Sequence, residues 1–404
     1  MNGLEALASG AIISPFTRLR KLLDGIAPGS DKPIDLTLGE PRETMPLFIA
    51  EKIRDAEALF AKYPPIKGSD ELRQSIAEWL GRRYGLKGDG AVDAACEVLP
   101  VNGSREGLYF AALPAVGRKT VRGRPAILIC NPYYQAYIGA ALATGAEPIF
   151  LNATAATGHL PDLDVISQDN ELLERTVAFY LCSPANPQGA VATRDYVLRA
   201  LELARAHDFM LFFDECYSEL YNGEPPVGGL EVAAATPERF ANIVVFNSLS
   251  KRSNLPGLRS GFCAGDATFI ETLAEVRNLV GPTMPGPIQH ASAAAWGEEQ
   301  HVVSNRMAYR AKFDVCDDVL AGRYGYQRPS GGFFLWLDLS HFGGGVEATV
   351  TLWKRSGVRV IPGAYLAQPD RDGINPGADY VRVALVTDPA TIRDALNRIV
   401  SVLA

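Results

Sequence analysis

Between about residues 50 and 265 the chain switches repeatedly between two hydrophobic patterns. Residues 50–62 and 69–84 set apolar side chains at helical spacing, and the second stretch opens with Ser69 as a cap and with Glu71 and Leu72 in its first turn. Residues 193–207 repeat the helical pattern, with Val197, Leu201 and Ala204 on one face. Between such stretches lie short apolar runs, at 126–130, 148–151, 177–182, 210–213 and 243–246, that show no period-two alternation. A strand with one wet face alternates, whereas an unbroken run suits a strand covered on both faces. The pattern therefore predicts an α/β fold whose large domain has a mostly parallel central sheet covered by helices. In such sheets ligands gather outside the carboxyl ends of the strands, which directs attention to the residues just after each run.

Beyond about residue 290 the pattern changes. A long helical stretch precedes "GGFFLWLDL", "VRVIPGA" and "YVRVALV", and a final helical stretch covers 388–403. This predicts a smaller α+β domain. The expected division is 46–285 for the large domain, with 1–45 and 286–404 together forming the small one. No internal repeat or low-complexity segment interrupts it.

Composition narrows the field. The 404 residues are 47% hydrophobic and 21% charged, with a formal net charge of −7. Acidic and basic residues are interspersed, and no basic run carries interleaved aromatics, so nucleic acid is not an expected partner. No stretch reaches the roughly 18 apolar residues that span a bilayer. The first twenty residues lack the pattern of a secretory leader, so no membrane association and a cytoplasmic location are expected. The six cysteines are scattered without a C-x-x-C pair and read as reduced core residues. The five histidines show no H-E-x-x-H spacing, and metal catalysis is not expected.

The segment "NSLSKRSNLPGLRSGF" places Lys251 just after the run at 243–246. A lysine emerging there is partly desolvated, which favours the neutral amine that attacks an aldehyde. Ser248, Ser250 and Arg259 supply hydroxyls and a planar cation suited to a phosphate, although serines and glycines there also make an ordinary turn. Asp214 ends "MLFFD": it is either a helix cap or a carboxylate that keeps a heteroaromatic nitrogen protonated, with Tyr217 turned toward the same ligand. Asn186 sits in the rigid loop "SPANPQG" and could donate to a phenolic oxygen. Gly103, Ser104 and Arg105 open a helix whose free N–H groups could bind phosphate or simply mark a cap. Tyr134 in "NPYYQAY" could stack on a flat ring or pack in the core.

Together with "LTLGEP", "YPPIKGSDELRQSIAEWL", "PSGGFFLW" and "YVRVAL", these segments resemble, in order and over nearly the whole chain, the fold-type I pyridoxal-phosphate aminotransferases of class I/II. The resemblance implies that pyridoxal 5'-phosphate is the cofactor and that Lys251 bonds its aldehyde and moves the proton. Asp214 would partner the pyridine nitrogen, and Asn186 and Tyr217 the ring hydroxyl. Gly103, Ser104, Arg105, Ser248 and Arg259 would form the phosphate cup, and Tyr134 would stack on the ring. Arg382 would clamp the substrate α-carboxylate, with Gly39 lining that end. Tyr63 would reach the phosphate of a neighbouring subunit, implying a homodimer with shared sites.

Within the family, "SKRSNLPGLRSGF", "GLRSGFCAGD", "FTRLRKLL" and "HVVSNRMAYRAKFDV" are most similar to the proteobacterial N-succinyldiaminopimelate aminotransferases. That implies lysine and diaminopimelate biosynthesis with glutamate and 2-oxoglutarate as the second pair. Both substrates carry a carboxylate far from the reacting amine, for which Arg42, Arg252 and Arg328 are candidate partners. Aromatic, alanine or aspartate specificity, or a β-lyase using the same lysine without 2-oxoglutarate, are the alternatives. A regulatory relative would need an added DNA-binding domain, and the fold is expected to start almost at residue 1.

Overall fold

In the computed structural model the described residues are 5, 12–281, 283–370 and 372–404. Their strands are β1 (Ile34–Asp35), β2 (Val98–Val101), β3 (Ala126–Asn131), β4 (Glu147–Asn152), β5 (Thr176–Cys182), β6 (Met210–Asp214), β7 (Ile243–Ser248), β8 (Gly261–Gly265), β9 (Phe334–Asp338), β10 (Val358–Arg359), β11 (Ile361–Pro362) and β12 (Tyr380–Ala384). Seven of them form one sheet in the order β2-β8-β7-β6-β5-β3-β4. Only β8 runs against its neighbours, being antiparallel to both β2 and β7. The mostly parallel sheet with helical cover is thus the observed architecture.

The unbroken apolar runs are explained by burial on both faces. Along β6, Leu211 and Phe213 belong to the core on one face, while Met210 and Phe212 belong to the core on the other, and all four are fully buried. Helix Arg194–Ala206 covers the first face through Val197, Leu201 and Ala204, and Thr193 caps it by accepting the Tyr196 N–H. Helix Asp70–Tyr84 is capped in the same way by Ser69, which accepts the Leu72 N–H. The helical pattern at 50–62 is realised differently: helix Phe48–Asp55 ends at a break, and a 3-10 turn, Glu57–Ala61, follows.

A second, three-stranded antiparallel sheet has the order β11-β12-β9, and β1 pairs in parallel with β10. Leu36 joins Leu335, Val381, Leu352 and Ile399 in the core beneath it. Helix Gly286–Gly297, by contrast, packs with the large sheet, where Trp296 meets Trp79 at 4.8 Å between ring centroids. Among the described residues no helix is long and apolar enough to cross a membrane.

Candidate active site

The carboxyl ends of β5, β6 and β7 open onto a cavity of about 660 Å³. Lys251 stands in the single helical turn Leu249–Arg252 that follows β7, and Ser248 caps the turn by accepting the Ser250 N–H. Its Nζ donates to the Gly39 carbonyl at 2.6 Å, and burial lowers its pKa to about 8. A neutral, nucleophilic amine is therefore accessible near physiological pH. Gly39 has no room for a side chain, because a Cβ would come within 2.6 Å of the Phe334 ring.

Asp214, the last residue of β6, enters the cavity as a buried carboxylate whose pKa is pushed up by desolvation. Its Oδ2 accepts the Tyr137 hydroxyl at 2.6 Å and its Oδ1 accepts the Cys216 N–H at 3.1 Å. No helix begins on it, so the capping alternative is not realised. Arg382, on β12, is the converse case. It is a buried guanidinium over the Phe334 ring, bonded among the described residues only to neutral groups: Asn186 Oδ1 at 3.2 Å and the Thr37 carbonyl at 2.6 Å. Among the described residues its Nε has no partner, and desolvation lowers its pKa to about 10. A buried cation bonded to neutral groups, and a buried carboxylate bonded to a hydroxyl and an N–H, are costly unless a ligand completes them.

Asn186 also donates to the Tyr217 hydroxyl at 3.5 Å, so the two residues expected to share a phenolic oxygen do face each other. At the other side of the lysine, helix Ser104–Arg118 points its N-terminus at the cavity. Gly103 precedes it at φ 83°, where a Cβ would lie 2.4 Å from Arg259 Nη2. Arg259, Ser248, Ser250 and Ser104 line the same end. Arg105 turns its side chain onto Tyr134, donating to the hydroxyl at 2.6 Å. This donor set fits a phosphate, the anionic Asp214 fits a protonated ring nitrogen, and the amine of Lys251 fits an aldehyde.

Of the residues singled out from the sequence, Gly39, Ser104, Arg105, Tyr134, Asn186, Asp214, Tyr217, Ser248, Lys251, Arg259 and Arg382 line the one cavity. Gly103 lies against Arg259 just behind it, and Tyr63 is fully exposed outside it. Arg42, Arg252 and Arg328 do not reach it. Arg42 is exposed, Arg252 is buried on the Ala295 and Glu298 carbonyls and Glu299, and Arg328 pairs with Asp314 and Asp317. The sequence reading missed Tyr137, whose ring stacks on Tyr180 at 4.6 Å and whose hydroxyl fixes Asp214. Its signal was its place three residues after Tyr134, on the same helical face.

Residues 31–399 match the model of the aminotransferase class I and II family. The chain belongs to that family, whose members depend on pyridoxal phosphate and transfer an amino group between amino acids and 2-oxo acids. An aminotransferase from Neisseria meningitidis of known structure is 38% identical, with a TM-score of 0.92 over 99% of this chain and 100% of that one. The aminotransferase AspB from Helicobacter pylori is 31% identical, with a TM-score of 0.87 over 96% and 97%. An LL-diaminopimelate aminotransferase from Syntrophobacter fumaroxidans is 28% identical over 90% of each chain.

Proposed function

We propose that this aminotransferase acts on N-succinyl-LL-2,6-diaminopimelate, with glutamate and 2-oxoglutarate as the second substrate pair, in diaminopimelate and lysine biosynthesis. When bound, pyridoxal phosphate supplies the aldehyde that takes up the amino group and the ring that withdraws electrons from the substrate α-carbon. Lys251 Nζ would hold the cofactor at rest and, once the substrate amine has replaced it, would move the proton from the substrate α-carbon to the carbon that bore the aldehyde. Asp214 keeps the pyridine nitrogen protonated, and Tyr137 holds that carboxylate in place. Asn186 and Tyr217 bond the ring hydroxyl, and Tyr134 stacks on the ring. The N–H groups at Gly103, Ser104 and Arg105, with Ser248 and Arg259, hold the phosphate. Arg382 receives the α-carboxylate beside Gly39, which explains a buried cation with neutral partners only.

The observation that carries the substrate reading is the extent of the cavity. Its volume is about 660 Å³, and besides the groups suited to the cofactor it is lined by Pro15, Phe16, Tyr133 and Leu366, which supports a substrate with a long side chain. Free LL-diaminopimelate is the second reading, favoured by the names of relatives 28–29% identical to this chain.

The proposed homodimer is supported by the apolar side chains left in water: Tyr63, Leu47 and Leu279 are 102%, 86% and 83% exposed, and Phe60 and Val280 are also exposed. Tyr63 would serve the phosphate of the second subunit. The proposed location is the cytoplasm. The proposed two-domain division follows the packing better if residues 286–297 go with the large domain, since Trp296 lies in its core.

The substrate is tested by mixing the holoenzyme with N-succinyl-LL-diaminopimelate, LL-diaminopimelate, glutamate, aromatic amino acids and alanine in a stopped-flow spectrophotometer. Fast conversion of the aldehyde to the amine form of the cofactor is expected with the succinylated compound and glutamate. Fast conversion by aromatic amino acids or alanine instead removes the pathway assignment, and preference for the free diamine selects the second reading.

A further inference from the structure

A carboxylate taken out of water at the remote end of a long substrate needs a cation or several fixed donors. On the proposed function the cavity arginines already have roles: Arg382 takes the α-carboxylate and Arg259 the phosphate, while Arg105 donates to the Tyr134 hydroxyl at that same phosphate end. Behind the wall formed by Pro15, Phe16, Tyr133 and Leu366 stands a further cation, Arg18, which does not itself line the cavity. Pro15 and Phe16 begin helix Pro15–Leu22, and Arg18 stands three residues after Pro15 on it. The Arg18 guanidinium lies over the Tyr365 ring, 4.0 Å from its centroid. Tyr365 adjoins Leu366, whose carbonyl accepts the Tyr133 N–H at 3.0 Å. Tyr133 and Leu366 both line the cavity. The positive charge of Arg18 reaches the Tyr133 phenol, opposing the rise in pKa that burial imposes, and Gln368 Nε2 donates to the same hydroxyl at 3.0 Å.

Arg18 is half-buried, and among the described residues it has no carboxylate partner. Stacking on a ring holds a guanidinium in one plane while leaving its edge N–H groups to bond an anion. We propose that Arg18 is the specificity-determining residue that receives the distal carboxylate of the substrate, with the Tyr133 hydroxyl and the Gln368 amide beside it. This rests on the reading of a long, dicarboxylic amino donor. Glutamate's side-chain carboxylate lies nearer the reacting amine, so its half-reaction should depend on Arg18 less than that of the longer substrate.

The test compares two seven-carbon amino acids in half-reactions of the holoenzyme: 2-aminopimelate, which ends in a carboxylate, and 2-aminoheptanoate, which ends in a methyl group. The wild type should favour 2-aminopimelate, and Arg18→Met should cut that preference by about 10- to 100-fold while leaving 2-aminoheptanoate unchanged and affecting glutamate less than 2-aminopimelate. Arg18→Lys should restore part of it. A wild type without the preference, an Arg18→Met variant that keeps it, or a loss shared equally by all three amino acids would overturn the assignment. If the preference collapses as expected but neither N-succinyl-LL-diaminopimelate nor LL-diaminopimelate reacts with the wild type, the pathway reading fails and Arg18 stands.

Discussion

Lys251, Asp214 and Asn186 each lie within four residues of the end of a strand of the large sheet, whereas Pro15, Phe16 and Leu366, which line the same cavity, come from segments some 350 residues apart. The first group forms a floor whose geometry is set by the fully buried strands β5, β6 and β7. The second forms a wall assembled from a short helix and a turn. The contrast separates chemistry from selection. On the proposed roles, the groups that would hold cofactor and move protons sit on rigid elements, while those proposed for the substrate's far end sit on loop and helix-end segments that can vary without disturbing the sheet.

Four substitutions and titrations would break or sharpen this division, and the Arg18 series above supplies its wall half. On the floor, Lys251→Ala should lower transamination by at least about 10³-fold with every substrate while leaving a folded protein, judged by turnover and circular dichroism. Arg382→Ala should lower kcat/KM by about 10²-fold for all amino acids alike, since all share the α-carboxylate. A loss confined to dicarboxylic substrates would move Arg382 to the other side of the comparison.

Tyr137→Phe keeps the ring that stacks on Tyr180 and removes only the hydroxyl bonded to Asp214. It should weaken cofactor retention by about tenfold, measured by titrating apoenzyme with pyridoxal phosphate, with no change in the apoenzyme's melting temperature greater than a few degrees. The last test reads stability. Burial lowers the Lys251 pKa from 10.5 to about 8, so the folded state disfavours the charged amine. That cost is fully present below pH 8 and fades as pH rises toward 10.5, where the unfolded chain loses its proton too. Apo Lys251→Met should therefore melt above apo wild type at pH 7, by a stability gain on the order of 3 kcal/mol at most, and the gap should close by about pH 10.

The same contrast explains what could be read from the chain. Each floor residue follows an unbroken apolar run, and such runs have few interpretations other than a doubly covered strand. The runs thus set Asp214 and Lys251 at strand ends from the sequence alone, and the resemblance implies their roles. Two strands of the sheet escaped that logic. β2 contains Pro100, which an edge strand tolerates because its missing N–H faces no neighbour, and β8 is bounded by Gly261 and Gly265, so neither shows a strong β pattern. Arg252 is one of the candidates for the distal carboxylate in the sequence, but its guanidinium is buried away from the cavity and ends on Glu299. Arg18 had no such signal. Its meaning depends on Tyr365 and Tyr133, and only the folded chain brings those three together.

The central claim is that one lysine at the end of β7 carries the cofactor. Reduction of the purified holoenzyme with borohydride, followed by proteolysis and mass spectrometry, tests it directly. The account predicts a phosphopyridoxyl group on Lys251 and on no other lysine. The modification on a different residue, such as the buried Lys312 that pairs with Glu43, or no covalent modification at all, would contradict it.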